Sequence, residues 1–251
     1  MMSTGSSTTA WGGFSALRPD PRMTPSTGTP GSGPPGDGVA TMPGRIFPGR
    51  ITGTPLKLVY WGPGLSGKTT NLKWLHARLR PELRGRLITL DTPGERTIYF
   101  DCLPLDLDPG RGAPIRLRLY TVPGQPRFRV TRRLVLHGVD GLVFVWDSRL
   151  RRLRENVGSF LEAREAVEAC GRDWERLPRV IQLNKQDLAP LTPRADIDAV
   201  LDRLGECGPR LASVAADGVG VLETLAAIAR GAVRGPRTDS CSWSARPTPE
   251  V

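Results

Sequence analysis

The sequence predicts an α/β fold: a mostly parallel six-stranded sheet with one antiparallel strand and helices on both faces. Three observations carry this reading. From about residue 55 to 235, apolar runs of strand length alternate with helical periodicity, the pattern of a doubly wound sheet. Gly62-Pro63-Gly64-Leu65-Ser66-Gly67-Lys68-Thr69 fits G-x-x-x-x-G-K-[ST] at every fixed position and lies between one such run and one such helix. Two alternating segments flank Asp106-Leu107-Asp108-Pro109-Gly110-Arg111-Gly112, a turn signal that pairs them as a hairpin.

Each element has its own signal. Ser, Thr, Gly and Pro dominate residues 1–54, which offer too little apolar surface to offset the entropy of ordering, so this extension is expected to be disordered. A single domain is expected over 55–235. Residues 56–61 form an apolar strand, and Leu72, Leu75 and Leu79 recur at helical spacing over 68–79 until Pro81 stops the helix. The hairpin strands are 96–105 and 115–122, and a helix over 128–136 ends at His137-Gly138. Gly141-Leu142-Val143-Phe144-Val145-Trp146 is almost wholly apolar, as a central parallel strand must be. A long helix over 153–170 closes at Gly171. Strand 179–183, helix 195–204, strand 211–215 and an amphipathic helix over 220–233 follow. Residues 236–251 read as a flexible tail.

Bulk properties narrow the class of function. A formal net charge of +10 points to anionic partners, without choosing among them. Cys102, Cys170, Cys207 and Cys241 stand far apart with no C-x-x-C pair, which argues against zinc sites and disulfide scaffolds and for a reducing cytoplasmic setting. No apolar stretch spans a bilayer, so no integral membrane segment is expected, and no secretory signal begins the chain. His76 and His137 lack metal-ligand partners in sequence. Arg127, Arg129, Arg132 and Arg133 crowd one region, where a solvated face and a site for an acidic protein effector are equally good readings. Arg149, Arg151, Arg152 and Arg154 read as a solvated basic face. Aromatics are not interleaved with these arginines, so nucleic acid binding is not expected.

The chemistry lies in four motifs. In the first, Gly62, Gly64 and Gly67 let the backbone N–H groups of Leu65, Ser66 and the helix start through Thr70 surround a phosphate. Lys68 reaches the β- and γ-phosphates and the Thr69 hydroxyl ligates Mg²⁺. In the second, Thr121-Val122-Pro123-Gly124-Gln125 ends a strand, where the Gly124 N–H meets a γ-phosphate and Gln125 orients an attacking water. In the third, Asn184-Lys185-Gln186-Asp187 follows another strand. Its aspartate accepts from the two adjacent donors that guanine has and adenine lacks. In the fourth, Ser213-Val214-Ala215 offers a backbone N–H to guanine O6. Taken singly, Asn184 to Asp187 is a weak four-residue match; in this order and at strand ends the motifs together define a guanine-nucleotide site for GTP and GDP.

Four stretches carry a resemblance: residues 62–72, Arg96-Thr97 with Phe100-Asp101 and Leu103-Pro104-Leu105, Tyr120 to Gln125, and Gly138-Val139-Asp140-Gly141. Over about 56–233 the chain resembles the MglA-type bacterial Ras-like small GTPases. The resemblance implies a P-loop GTPase G domain that hydrolyses GTP slowly with Mg²⁺ and acts as a switch in cell polarity or motility. It also implies a roadblock-type (MglB-like) activating protein. By the same resemblance Arg96 is a built-in arginine finger, Thr97 is the switch threonine that joins Thr69 at the metal, and Thr121 replaces the usual D-x-x-G aspartate. Two other classes remain open at this point. A scaffold that scarcely hydrolyses is disfavoured by Gln125 and Arg96, and an ATP-using P-loop enzyme by residues 184–187.

Overall fold

Leu58, Val59, Tyr60 and Trp61 have no exposed surface, because the strand that carries them lies deep inside a sheet. The computed structural model describes residues 54–90, 100–107, 115–124 and 128–235. The expected tail, 236–251, and the expected extension, 1–54, lie outside them apart from Thr54. Seven strands form one sheet: β1 (Leu56–Trp61), β2 (Ile88–Leu90), β3 (Phe100–Leu107), β4 (Ile115–Thr121), β5 (Gly141–Asp147), β6 (Arg179–Asn184) and β7 (Arg210–Ala212), in the order β2-β3-β4-β1-β5-β6-β7. Strands β4, β1, β5, β6 and β7 pair in parallel. Strand β3 is antiparallel to both its neighbours and so runs against the other six. The hairpin reading stands. The sheet has one strand more than expected, since β2 is a three-residue edge strand with no apolar alternation to announce it.

Period-2 alternation distributes the sheet over two cores. Leu58 and Tyr60 meet Leu72 and Leu75 of α1 (Lys68–Arg78) and Leu225 and Ile228 of α5 (Val221–Arg234). Val59, Trp61, Phe144 and Trp146 meet Leu136 of α2 (Arg129–Leu136), Phe160 and Val167 of α3 (Leu153–Ala169), and Leu201 of α4 (Arg194–Arg203). Each such side chain contributes roughly 1.5–3 kcal/mol by leaving water. All seven residues of β5 are buried, which accounts for its unbroken apolar run. No helix among the described residues is long and apolar enough to cross a membrane.

This topology gathers the motifs. The C-terminal ends of β1, β4, β5 and β6 all open on one edge. Because β3 runs the other way, its first residues reach that edge too, with Cys102 opposite Tyr120.

Candidate nucleotide site

At that edge lies a cavity of about 770 Å³, lined by phosphate-loop residues 65–69 on one side and Asn184, Lys185, Asp187, Leu188 and residues 214–216 on the other. The loop's shape depends on glycine at two places. Gly62 has φ +147°, and a Cβ there would sit 2.4 Å from the Val145 carbonyl oxygen. Gly67 has φ +106°, and its Cβ would meet Asn184 Nδ2 at 2.2 Å. Five successive loop carbonyls each accept a side-chain hydrogen bond. Lys68 Nζ donates to Gly62 O at 2.9 Å and Pro63 O at 2.7 Å. Arg152 Nη2 donates to Gly64 O at 2.7 Å, Lys185 Nζ to Leu65 O, and Asn184 Nδ2 to Ser66 O at 2.8 Å. Fixing a carbonyl fixes the next N–H in the opposite sense. The peptide groups are thereby set before any ligand arrives. Helix α1 starts at Lys68 with no side-chain cap and no acidic residue in its first turn, so its N-terminal dipole is uncompensated.

The electrostatics ask for an anion. Lys68 is 6% exposed and bonded only to backbone carbonyls. Burial, then the positive charges of Arg132, Lys185 and Arg152, pull its ammonium down to about 7. Among the described residues the buried Ser66 hydroxyl has no hydrogen-bond partner. A polyphosphate fits this donor set.

Behind the loop, the buried Asp147 carboxylate at the end of β5 pairs with Arg149 (2.7 Å), Lys185 (3.0 Å) and Arg152 (3.7 Å). Burial pushes its pKa up. The hydrogen bonds from Arg149 and Lys185 outweigh that and hold it below the usual carboxylate range. The solvated-face reading of the second arginine group therefore needs correction: Arg151 and Arg154 are exposed, but Arg149 and Arg152 are drawn in by Asp147. In the first group Arg132 is also turned inward, bonding Pro123 O at 2.7 Å, pairing with Glu162 and lying over the Trp61 ring. Arg133 is exposed; Arg127 lies outside the described residues.

On the base side, Asn184 is 2% exposed and ties two segments together. While its amide holds Ser66, its Oδ1 accepts from Ala215 N at 2.9 Å and Ser213 Oγ at 3.1 Å. Asp187 is exposed on the cavity wall, where Lys185 has turned the chain with φ +66°. The N–H groups of Ser213, Val214 and Ala215 are all engaged within the protein, with Leu183 O, Val219 O and Asn184 Oδ1. Val214 and Ala215 line the cavity, and Ser213 Oγ and Ala215 N anchor Asn184.

No family model matches the chain. It is 43% identical over 174 residues to the mutual gliding-motility protein MglA of Myxococcus xanthus (strain DK1622), across 69% of this chain and 88% of that protein. The chain belongs to the MglA family of small GTPases.

In this MglA-type chain the phosphate side has a neighbour that sequence reasoning missed. Gly124 packs so closely on the phosphate loop that a Cβ would lie 2.4 Å from Gly64 Cα. Beside it, Thr121 and Asp101 exchange two bonds: Asp101 N donates to Thr121 Oγ1 at 3.0 Å, and Thr121 Oγ1 donates to Asp101 Oδ2 at 2.9 Å. The same Oδ2 accepts from Thr69 Oγ1 at 2.7 Å, and Oδ1 accepts from Thr89 Oγ1 at 2.9 Å. The signal was in the alternation: Asp101 is in phase with Leu103, Leu105 and Leu107, on the buried side of β3. Thr70 also lines the cavity. Arg96, Thr97 and Gln125 lie outside the described residues. Among those residues no group of three His, Cys, Asp or Glu gathers as metal ligands. A hard cation here would therefore take hydroxyl, carboxylate and phosphate oxygens, a donor set that fits Mg²⁺.

Proposed function

We propose that this protein binds GTP with Mg²⁺, hydrolyses it slowly to GDP and phosphate, and uses the difference to switch its partner contacts. One observation carries the reading: the phosphate loop and Asn184, Lys185 and Asp187 line one cavity, with Asn184 bonded to the loop itself. In the proposed complex the N–H groups of the loop and of Lys68, Thr69 and Thr70 hold the β-phosphate. The Lys68 ammonium lies against the β- and γ-phosphates, its buried charge compensated. Asp187 reads guanine N1–H and the 2-amino group, and the wall at 213–215 shapes the base pocket. Thr69 and Thr97 would hold the metal, which would supply positive charge beside the phosphates. Gln125 orients a water whose oxygen attacks the γ-phosphorus as the bond to the β,γ-bridging oxygen breaks. The attacking water passes its proton to an oxygen of the phosphate being formed, and GDP and phosphate leave. Arg96 offsets charge in that transition state, an effect of about 10³–10⁵ in rate where arginine fingers act.

The relative's printed name concerns mutual gliding motility. We extend to this chain a role in bacterial cell polarity or motility, with a roadblock-type (MglB-like) activating protein and an acidic effector at the α2 side. Two readouts test the core of the reading. Acid extraction of the purified protein should release GDP or GTP, and unlabelled ATP should fail to displace fluorescent GDP. Single-turnover phosphate release should then be lost in both Gln125→Leu and Arg96→Ala, each still retaining GTP. ATP that competes as well as GTP would refute guanine selection; wild-type turnover in Gln125→Leu would refute the hydrolytic mechanism.

A further inference from the structure

The core under α1 and α5 is packed with leucine, valine and alanine, yet three polar side chains cross it. Asn71 of α1, Gln182 of β6 and Thr224 of α5 have no exposed surface. The two amides exchange a pair of bonds: Asn71 Nδ2 donates to Gln182 Oε1 and Gln182 Nε2 donates to Asn71 Oδ1, both at 2.9 Å. Gln182 Nε2 also donates to Thr224 Oγ1 at 3.3 Å. The two ends of this chain lead to the two walls of the cavity. Asn71 Nδ2 donates to Gly67 O at 2.9 Å, the loop carbonyl next after the one that Asn184 holds. Thr224 Oγ1 donates to Gly220 O at 2.6 Å. Gly220 is seated on the residues that lead into the base wall, since a Cβ there would lie 2.2 Å from Ala212 O and 2.9 Å from Ser213 Cβ.

We propose that Asn71, Gln182 and Thr224 are positioning residues for the nucleotide, a buried relay that fixes how far the phosphate cradle stands from the base pocket. This rests on the guanine-nucleotide reading above. Packing alone does not call for these residues. A leucine at 71 or a methionine at 182 would join the surrounding core, whereas an amide must be fully paired merely to match it. Here all four amide N–H groups and both amide oxygens of Asn71 and Gln182 are used, which leaves the cluster a single arrangement. The polar chain adds direction, because a hydrogen bond fixes an angle as well as a distance. The effect reaches the ligand through one peptide plane: with Gly67 O held, the Lys68 N–H is turned the opposite way, out of the open end of α1. Gln182 also stands two residues before Asn184 and so on the same side of β6. That strand thus ties two consecutive loop carbonyls, one directly at the rim and one by relay through the core.

The test compares a ligand that spans both walls with one that does not. GDP reaches the phosphate cradle and the base pocket together, whereas GMP lacks the β-phosphate. Both affinities are measured by competition against fluorescent GDP, with thermal melting of each variant. Asn71→Leu combined with Gln182→Met removes the relay and orphans nothing. Gly67 O keeps the backbone N–H of residue 71 at 3.1 Å, and the Thr224 hydroxyl keeps Gly220 O. This double variant should therefore melt within a few degrees of wild type. It should bind GDP about tenfold more weakly, the factor that one buried hydrogen bond is worth, with GMP affinity changed by less than about twofold. Thr224→Val severs only the base end, leaving Gly220 O the backbone N–H of residue 224 at 3.0 Å. It should lower the ratio of GDP to GMP affinity by about threefold. A ratio that does not fall in the folded double variant overturns the proposal; an equal loss of both affinities is what a merely structural cluster gives. If the double variant does not melt cooperatively, Thr224→Val decides by the same ratio. Failure of the wild type to bind GDP at all refutes the parent reading instead.

Discussion

Asn184→Ala should be the most informative single change, because Asn184 bonds the base side of the cavity to the phosphate side. The substitution removes three hydrogen bonds at a residue that is 2% exposed. It leaves the Ser66 carbonyl and the Ala215 N–H without partners; the Ser213 hydroxyl can rotate. A buried polar group left unpaired costs about 1–3 kcal/mol, so two give roughly 2–6 kcal/mol. Water entering the space vacated by the amide favours the lower half, about 3 kcal/mol. Whatever strain the empty protein relieves by letting the loop drift appears as weaker nucleotide binding, and the remainder as lower stability. If all of it reached binding, GDP affinity would fall about 100-fold. If all of it reached stability, the melting temperature would fall by about 6–12 °C. Asn184→Asp separates the two halves of the residue. It keeps the acceptor for Ala215 and Ser213 but sets an oxygen against the Ser66 carbonyl, so it should bind nucleotide no better than the alanine. Titration with fluorescent GDP and thermal melting measure both effects. Wild-type affinity together with a wild-type melting temperature in Asn184→Ala would refute the claim that this side chain shapes the site.

Two further outcomes follow from the cavity walls. Asp187 is exposed and lines the cavity, so Asp187→Asn should leave stability within about 0.5 kcal/mol. It should move base preference from guanine towards xanthine, read by competition of xanthosine and guanosine diphosphates against labelled GDP; unchanged preference would remove Asp187 from base reading. The Lys68 ammonium, at about 7 in the empty protein, is raised by any bound polyphosphate. Above pH 7 binding must therefore take up a proton, and affinity should fall by up to about tenfold per pH unit. Stability of the empty protein runs the other way. Between about 7 and the ordinary value of 10.5 the unfolded chain holds a proton that the folded chain has lost, so this group's contribution rises with pH. Affinity titrations and empty-protein melts across pH 6.5–9 measure both, and a flat affinity profile would show that Lys68 does not meet the ligand's charge.

What could be read from the chain was local or periodic. The phosphate loop, the strand ends and the α-helices are all written within a few turns of themselves, and the described boundaries fall close to those expected. Strand β2 was not legible, because three residues at an exposed edge carry no alternation. Asp101 was quoted only as part of a matching stretch. Its phase with Leu103, Leu105 and Leu107 marked it as buried, but its partners Thr69, Thr89 and Thr121 are set by strand register, which no local pattern encodes. Arg149 and Arg152 misled for the same reason: they look solvated until β5 is seen to end on a buried carboxylate.

The sharing of Asp147 by Arg149, Arg152 and Lys185 bears on how fast the site empties. Among the described residues, five basic side chains lie around one phosphate loop: Lys68, Arg132, and the Arg149, Arg152 and Lys185 that share the buried Asp147. A departing polyanion leaves those charges facing one another across little solvent, so the climb out of the bound state includes their repulsion. Product release should then be slow without help, and quicker as salt screens the cations within a Debye length of about 8–10 Å. The empty form becomes the least stable species of the cycle, and nucleotide acts as a folding ligand that raises apparent stability by mass action. A partner that inserts an acidic side chain beside the loop would lower that barrier by adding counter-charge to what Asp147 supplies. In this geometry the route to faster exchange is therefore electrostatic substitution rather than loop displacement.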